Sequence, residues 1–228
     1  MEPDYWLTKW ASDEIGFHRD RPHQYLELFI NGTRARGGRR VFVPLCGKTL
    51  DMVVLRAAGF EVVGVELSEQ ALRDFSAGHG LAMTERRDGE LTVFEAPGYT
   101  LYQGDFFALT AAQLAGIDAI FDRGATVALP PAMRSDYVRR LLERCPKAWS
   151  LTVTLAYDQQ EMDGPPFAID GAMLQALYGD ARDIALLKQR DILAEEPHFI
   201  DKGLSALSES AYAIRPRDAA QGSAAGRP

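Results

Sequence analysis

Two cysteines in 228 residues, Cys46 and Cys145, stand far apart and form no CxxC pair. That scarcity gives no disulfide framework and no cysteine zinc signal, and it fits a reducing compartment. The four histidines, His18, His23, His79 and His198, show no metal-ligand spacing, so no metal is expected. No apolar run approaches the roughly 20 residues that cross a bilayer, so no membrane partner is expected. The opening MEPDYWLTKW carries acids and no apolar stretch, which excludes a secretory leader and points to a cytoplasmic protein. Positive charge is also in short supply. Against 32 Asp and Glu there are 25 Lys and Arg, a net charge of −7, and nucleic-acid binding needs a clustered basic surface. The local exception, RARGGRR from Arg34 to Arg40, stands just before a strand and is read as a solvated loop. No Ser–His–Asp or Cys–His set is evident, and no GxGxxG.

What remains is an ordinary globular composition, 46% apolar and 25% charged, in a chain of the right size for one α/β domain. Residues 4–29 show helical spacing in two pieces, interrupted over 15–22, and Trp6 and Trp10 share a helix face. RVFVP, at Arg40–Pro44, is a short apolar run and predicts a buried strand. A helix over 50–58 follows, closed by Gly59. A second strand over 61–65 leads to Glu66, and Ser68 caps a helix to residue 77. LTVFE and YTLYQGD predict a hairpin over 91–105, turning at Ala96-Pro97-Gly98. A buried strand is expected over 116–122, a helix opened by Pro130-Pro131 up to 145, and a long strand over 149–157. A helix over 169–178 and strands over 185–191 and 205–214 complete the chain. Strand and helix alternate, so the fold class is α/β, a mainly parallel sheet covered on both faces. No repeat or linker is visible. The expected layout is a single domain over residues 1–215 and a disordered tail over 216–228 (PRDAAQGSAAGRP).

In such sheets ligands bind at the carboxyl ends of the strands, where four segments converge. VPLCGKTLD joins the first strand to its helix, and Gly47 lets backbone approach a ligand; taken alone, it is just as well a turn. Glu66 ends the second strand about twenty residues on, where an acid accepts from ribose hydroxyls; the alternative is a solvated acid at a helix N-terminus. An acid there without a pyrophosphate turn favours an adenosine ligand of the S-adenosylmethionine kind. Gln103-Gly104-Asp105-Phe106 offers a polar edge and an aromatic face for adenine. Arg123, in Phe121-Asp122-Arg123-Gly124, points into the cleft or forms a surface ion pair with Asp122 or another acid.

Taken together, VFVPLCGKTLD, GVELSEQAL, GDFFALT, DRGATVALPPAMR and YDQQEMDGPPF, with the opening WxxxWAxxxxGFH, resemble the bacterial thiopurine S-methyltransferase family from Trp6 to about Ile214. The resemblance implies a Rossmann-like class I methyltransferase: a seven-stranded, mostly parallel sheet with one antiparallel strand at the edge, helices on both faces, and an N-terminal helical lid over residues 1–30. It implies S-adenosylmethionine as cofactor. By position, Trp10, Leu45, Glu66 and Arg123 resemble the cofactor contacts, Asp105 and Phe106 lie near adenine, and Phe17 resembles the aromatic that faces the acceptor. The chain departs from mammalian members at Glu195-Glu196-Pro197-His198-Phe199, where those resemble EERHK and carry a second active-site arginine. The implied acceptor is an aromatic or heterocyclic thiol such as a thiopurine, or a selenium or tellurium compound in a detoxifying role, methylated by a monomer.

Methyl transfer to such an anion is an in-line displacement that rests on orientation and exclusion of water. Arg123 could hold the cofactor's carboxylate, attract an anionic acceptor, or keep a thiol ionised. Trp6 and Trp10 are either helix core or a lid whose aromatic faces cover a sulfonium. Cys46 reads as a small buried hydrophobe. Among the histidines, His18 beside Phe17 is the one to watch, with a structural role as its plainer alternative. Three rivals stay open: a halide or small-thiol methyltransferase, a nicotinamide oxidoreductase (which should show GxGxxG), and a catalytically silent module that binds an adenosine ligand.

Overall fold

The computed structural model describes residues 3–217. From the N-terminus, α1 (Pro3–Ala11) and α2 (Leu26–Arg34) precede β1 (Arg40–Pro44), followed by α3 (Asp51–Ala57), β2 (Glu61–Glu66) and α4 (Glu69–Gly78). A meander of β3 (Thr84–Asp88), β4 (Leu91–Ala96) and β5 (Tyr99–Gln103) leads to β6 (Ala119–Arg123). Then come α5 (Ala125–Ala128), α6 (Pro131–Arg144), β7 (Trp149–Ala156), α7 (Gly171–Tyr178), β8 (Arg182–Asp191), α8 (Pro197–Asp201) and β9 (Ser208–Pro216). Among the described residues the strands form one sheet in the order β3-β4-β5-β2-β1-β6-β7-β9-β8.

The centre of that sheet explains its sequence. In β1, Val41 and Val43 pack with Phe29, Met52 and Leu55 on one face, while Phe42 packs with Ile120 and Tyr137 on the other. A parallel strand buried on both faces reads as an unbroken apolar run, which is what RVFVP shows. β1 pairs in parallel with β2 and β6, β2 with β5, and β6 with β7. Ser68 caps α4 as expected, accepting from the Ala71 amide at 3.2 Å, and prolines open α6.

The α/β class stands, but the sheet has nine strands where seven were expected. The two extra strands are β3 and β4, an antiparallel addition beyond β5. β3 reads TERRD and leaves all but Asp88 exposed. With no apolar residue it gives no sequence signal, and it exists because β4 offers it an edge. The antiparallel strand of the core, β9, does not lie at the edge. It is inserted between β7 and β8, antiparallel to both.

The boundaries move too. The lid cannot reach residue 30, because α2 carries Leu26, Phe29 and Ile30 into the main core. Only α1 and the strap between α1 and α2 are free to act as a cover. Pro216, expected to open the tail, pairs with Arg182 as the last residue of β9, and residues 218–228 lie outside the described ones. The middle of the basic run, residues 35–39, is the exposed connection between α2 and β1 that was expected, while its ends belong to those two elements. Arg34 ends α2 and donates to the Ala58 carbonyl at 2.7 Å, Arg36 lies 4.9 Å from the Trp149 ring centroid, and Arg40 begins β1 and donates to the Ala115 carbonyl. No helix among the described residues is long and apolar enough to cross a membrane.

Asp122 fixes the start of the β6–α6 crossover. Fully buried, it accepts from the Thr126 amide at 3.0 Å, from the Thr126 hydroxyl, and from the Tyr137 hydroxyl at 2.9 Å. Burial pushes its carboxyl up from the ordinary range, and the Thr126 and Tyr137 donors pull it back. It therefore has no part in a surface pair with Arg123. Tyr137→Phe removes one donor from a buried acid and is expected to cost about 1.5–3 kcal/mol. Urea unfolding checks this; an unchanged midpoint and slope would show that the bond is not needed.

Candidate active site

At the carboxyl ends of β1, β2, β5, β6 and β7 lies a cavity of about 980 Å³, at the upper end for small-molecule sites and roomy enough for two ligands. All seven side chains named from the sequence line it: Trp10, Phe17, Leu45, Glu66, Asp105, Phe106 and Arg123.

Glu66 is the organising group. It is 6% exposed, and its carboxylate accepts from the Gly47 amide at 2.8 Å and the Ser68 amide at 2.8 Å. One residue thus clamps the turn after β1 to the turn after β2. Burial raises its carboxyl, opposed by the Ser68, Gly47 and Leu67 amides. Each oxygen keeps a lone pair for a further donor. Between strand and clamp, Leu45 sits at φ 48°, a left-handed conformation costing a non-glycine residue about 1–2 kcal/mol. It is held there because the Cys46 amide donates to the Val65 carbonyl at 2.9 Å. Cys46 is buried against Gly64, where an added Cβ would meet its Sγ at 2.8 Å. It is a packing residue.

Across the cleft, Asp105 is exposed and its carboxylate accepts from the Phe107 amide at 2.9 Å, leaving its second oxygen without a hydrogen bond among the described residues. Phe106 is different. Its ring lies 4.8 Å from Tyr137 and 5.3 Å from Phe107, with the Arg144 guanidinium 5.7 Å from its centroid. It is a wall of the core, with little face to offer a stacking base; the neighbouring Phe107 is half-buried and also lines the cavity.

The cover is aromatic. Phe17 meets Trp6 at 5.3 Å and Trp10 at 5.4 Å, both edge-on. Trp10 is the one buried residue of α1, and it lies over the Gly47 turn, with Lys48 Nζ 5.7 Å from its ring and itself paired to Asp74 at 2.8 Å. An added Cβ at Gly47 would stand 3.1 Å from Trp10 Cζ2, and φ there is 51°. Glycine is favoured on both counts.

The far end of the cavity is charged. The Arg123 guanidinium makes no hydrogen bond or ion pair among the described residues. Burial works against its charge, Asp51, Glu209 and Glu196 support it, and Arg19 opposes it. Asp51 is buried, accepting from the His23 amide at 2.7 Å and the Thr49 hydroxyl at 2.9 Å. The Tyr25 amide donates to His23 Nδ1 at 3.2 Å, so Nε2 carries the hydrogen shared with Glu209 at 3.2 Å. Burial tends to raise the Glu209 carboxyl, yet His23, Gln24 and the Arg123 charge hold it below the ordinary range. Arg19, on the strap, reaches Glu196 at 2.6 Å. His23, Glu209 and this last bridge escaped sequence reasoning. Their partners lie 186 and 177 residues apart, and no local spacing reports a pair made by a strand inserted last.

The thiopurine S-methyltransferase family model matches residues 1–217. The thiopurine S-methyltransferase of Pseudomonas fluorescens is 42% identical over 215 residues, 94% of this chain and 99% of that protein. The one from Shewanella woodyi is 41% identical over 222 residues, covering 95% and 100%. Among solved structures, a Burkholderia thailandensis 1,6-didemethyltoxoflavin-N1-methyltransferase with bound S-adenosylhomocysteine superposes with a TM-score of 0.59 at 14% identity, covering 94% of this chain and 87% of that one. The YcgJ protein from Bacillus subtilis gives 0.60 at 12%, covering 86% and 99%. These two likenesses bear on the fold.

Gly47→Ala tests the packing of the cover on the floor. A methyl group in left-handed backbone and against Trp10 should lift α1, so hydrogen exchange over residues 3–19 should speed up and tryptophan emission shift to the red. Wild-type protection in that variant would mean that the cover does not rest on Gly47.

Proposed function

The chain belongs to the thiopurine S-methyltransferase family, and from that premise we propose that it transfers the methyl group of S-adenosylmethionine to a thiol, aromatic or heterocyclic, or to a selenium or tellurium compound. Dependence on S-adenosylmethionine comes with the membership. The observation that carries the choice of acceptor is the Arg123 guanidinium, set in the cavity wall without a hydrogen-bonding partner among the described residues. A half-buried cation with no hydrogen-bonding partner favours an anion beside it, and aromatic thiols and selenols ionise more readily than alkyl thiols.

The donor set fits the cofactor. Glu66 has lone pairs for ribose hydroxyls, Asp105 a free oxygen for a polar edge, and Trp10 and Leu45 supply apolar cover on the two sides of the Gly47 turn. When bound, S-adenosylmethionine supplies a methyl group made electrophilic by its sulfonium. The chain's own part is to orient and to dry. Trp10, Trp6 and Phe17 close over the cleft and exclude water, which strengthens every charge interaction beneath them. Arg123 holds an anionic acceptor, or the carboxylate end of the cofactor, at the β6 end of the cleft. Phe17 covers the acceptor's ring. In this reading the protein works as a cytoplasmic monomer on small molecules, in a detoxifying role.

Two measurements test it. Calorimetry should show S-adenosylhomocysteine binding and negligible NADH binding, with Glu66→Ala weakening the first by about 1.5–3 kcal/mol; unchanged affinity removes the ribose assignment. With one thiol of known pKa, Arg123→Lys should keep part of the activity, because a point charge survives where the fork is lost. Arg123→Ala should lose more and recover as pH rises and the thiol ionises unaided. Overlaid pH–rate profiles at saturating cofactor would take Arg123 out of acceptor handling, and transfer to halides alone in a side-by-side panel would overturn the thiol reading.

A further inference from the structure

We propose that His18 is the base that takes the proton when the acceptor arrives as a neutral thiol. The proposal rests on the thiol reading above and extends it to acceptors that are not ionised beforehand.

Arg123 can stabilise an anion, but it cannot remove a proton, because a guanidinium has no lone pair to offer. A thiol that enters protonated therefore needs a second group. Imidazole is the side chain suited to that exchange near neutral pH, and three histidines line the cavity: His18, His23 and His198. Both His23 nitrogens are engaged, one by the Tyr25 amide and the other by Glu209. His198 is exposed, with Nδ1 3.4 Å from Glu196 and its ring tilted against Phe199 at 4.0 Å. The His18 ring alone makes no hydrogen bond or ion pair among the described residues. Of the lining carboxylates, Asp51 accepts from His23 and Thr49, Glu209 is shared with His23 and Gln24, and Glu14 pairs with Lys9, while Glu66 and Asp105 are assigned to the cofactor in the reading above.

Position supports the same assignment. His18 follows Phe17 on the strap, and its backbone is fixed by the 2.7 Å bond from its amide to the Ile15 carbonyl. Arg19, the next residue, ties the strap to Glu196 on the opposite rim at 2.6 Å. The ring is half-buried, so one edge meets the cavity and a received proton has a path to solvent. Its charged surroundings are Lys48 from the β1–α3 turn, Arg123 from β6, and Asp20 on the strap. Burial, then Lys48, then Arg123 push the imidazole below its ordinary value, and Asp20 only partly opposes them. The ring is thus neutral, with a lone pair available, at the pH where a thiol still holds its proton.

The step balances. The acceptor S–H bond breaks toward the imidazole nitrogen, which becomes imidazolium. The sulfur pair so freed forms the new S–CH₃ bond, while the pair of the old CH₃–S⁺ bond returns to the sulfonium sulfur and leaves it a neutral thioether. The imidazolium then gives its proton to water.

The test compares two aryl thiols, one protonated and one already ionised at the assay pH, in wild type and His18→Gln. The variant should lose about 10²–10⁴-fold in kcat/KM with the protonated thiol and far less with the ionised one. With the protonated thiol, the wild-type acid limb should lie below the ordinary imidazole range and vanish in the variant, because His18 is a base only above its lowered pKa. Equal losses with both thiols would overturn the proposal and leave the thiol reading standing. Failure of the wild type with either thiol would overturn both. A measurement without turnover guards against a misfolded variant: nitrogen NMR of wild-type histidine rings with S-adenosylhomocysteine bound. A neutral His18 ring at neutral pH, shifting when the protonated thiol is added, is the expected result. A cationic ring, or one indifferent to the thiol, overturns it.

Discussion

The Glu66 carboxylate holds this molecule's working end together. Two crossovers leave the sheet side by side, after β1 and after β2, and their first turns carry amides with no partner in the strands. One buried acid accepts from both, through Gly47 and Ser68, and so sets the distance between the turns. Everything above them inherits that spacing. Leu45 is kept in left-handed backbone, Cys46 is pressed against Gly64, and the floor is flat enough at Gly47 for Trp10 to lie on it. The burial that makes the clamp rigid also raises the acid's pKa, so the amides that need the carboxylate are also what keep it charged.

The other end of the cleft follows a different logic. There Arg123 is surrounded by acids that are each occupied: Asp51 by a backbone amide, Glu209 by His23, Glu196 by Arg19. The result is a cation stabilised at a distance yet left without a contact of its own. That arrangement lowers the cost of burying the charge while leaving its donors for a ligand. The cover, the floor and the charged wall come from widely separated parts of the chain, and none makes a site alone.

Where neighbours in sequence decide the structure, the structure was legible. Arg40–Pro44 is a strand because both faces are buried, and its apolar run says so. Ser68 and Pro130-Pro131 mark helix starts by local chemistry, and Glu66 and Arg123 fall at strand ends by simple counting. The site residues named from the sequence all reach one cavity, although Phe106 serves the core more than the cleft. What stayed hidden was decided at long range. TERRD becomes β3 only because β4 presents an edge, and nothing in five charged and polar residues announces it. β9 reads as a strand, but no local pattern places it between β7 and β8, and so none pairs Glu209 with His23. The Arg34–Arg40 run is the exposed connection its charge announced, but the contacts at its ends were hidden for a related reason. The Arg34 and Arg40 guanidinia donate to carbonyls, and the Arg36 guanidinium lies over an aromatic ring, that stand elsewhere in the chain.

The insertion of β9 has a consequence for how the protein is made. As the ribosome releases the chain in order, β7 and β8 emerge before the strand that lies between them, and until β9 arrives neither has its partner on that side. The edge of β7, with Leu151 and Val153 bound for the core, waits open for more than fifty residues of synthesis, counted roughly at 5–20 residues per second. Exposed edges of that kind invite pairing with other chains. The last strand is therefore both a wall of the cleft, through Glu209, and the closure of the nascent sheet. Completing the wall of the cleft and covering the open edge of β7 are one event.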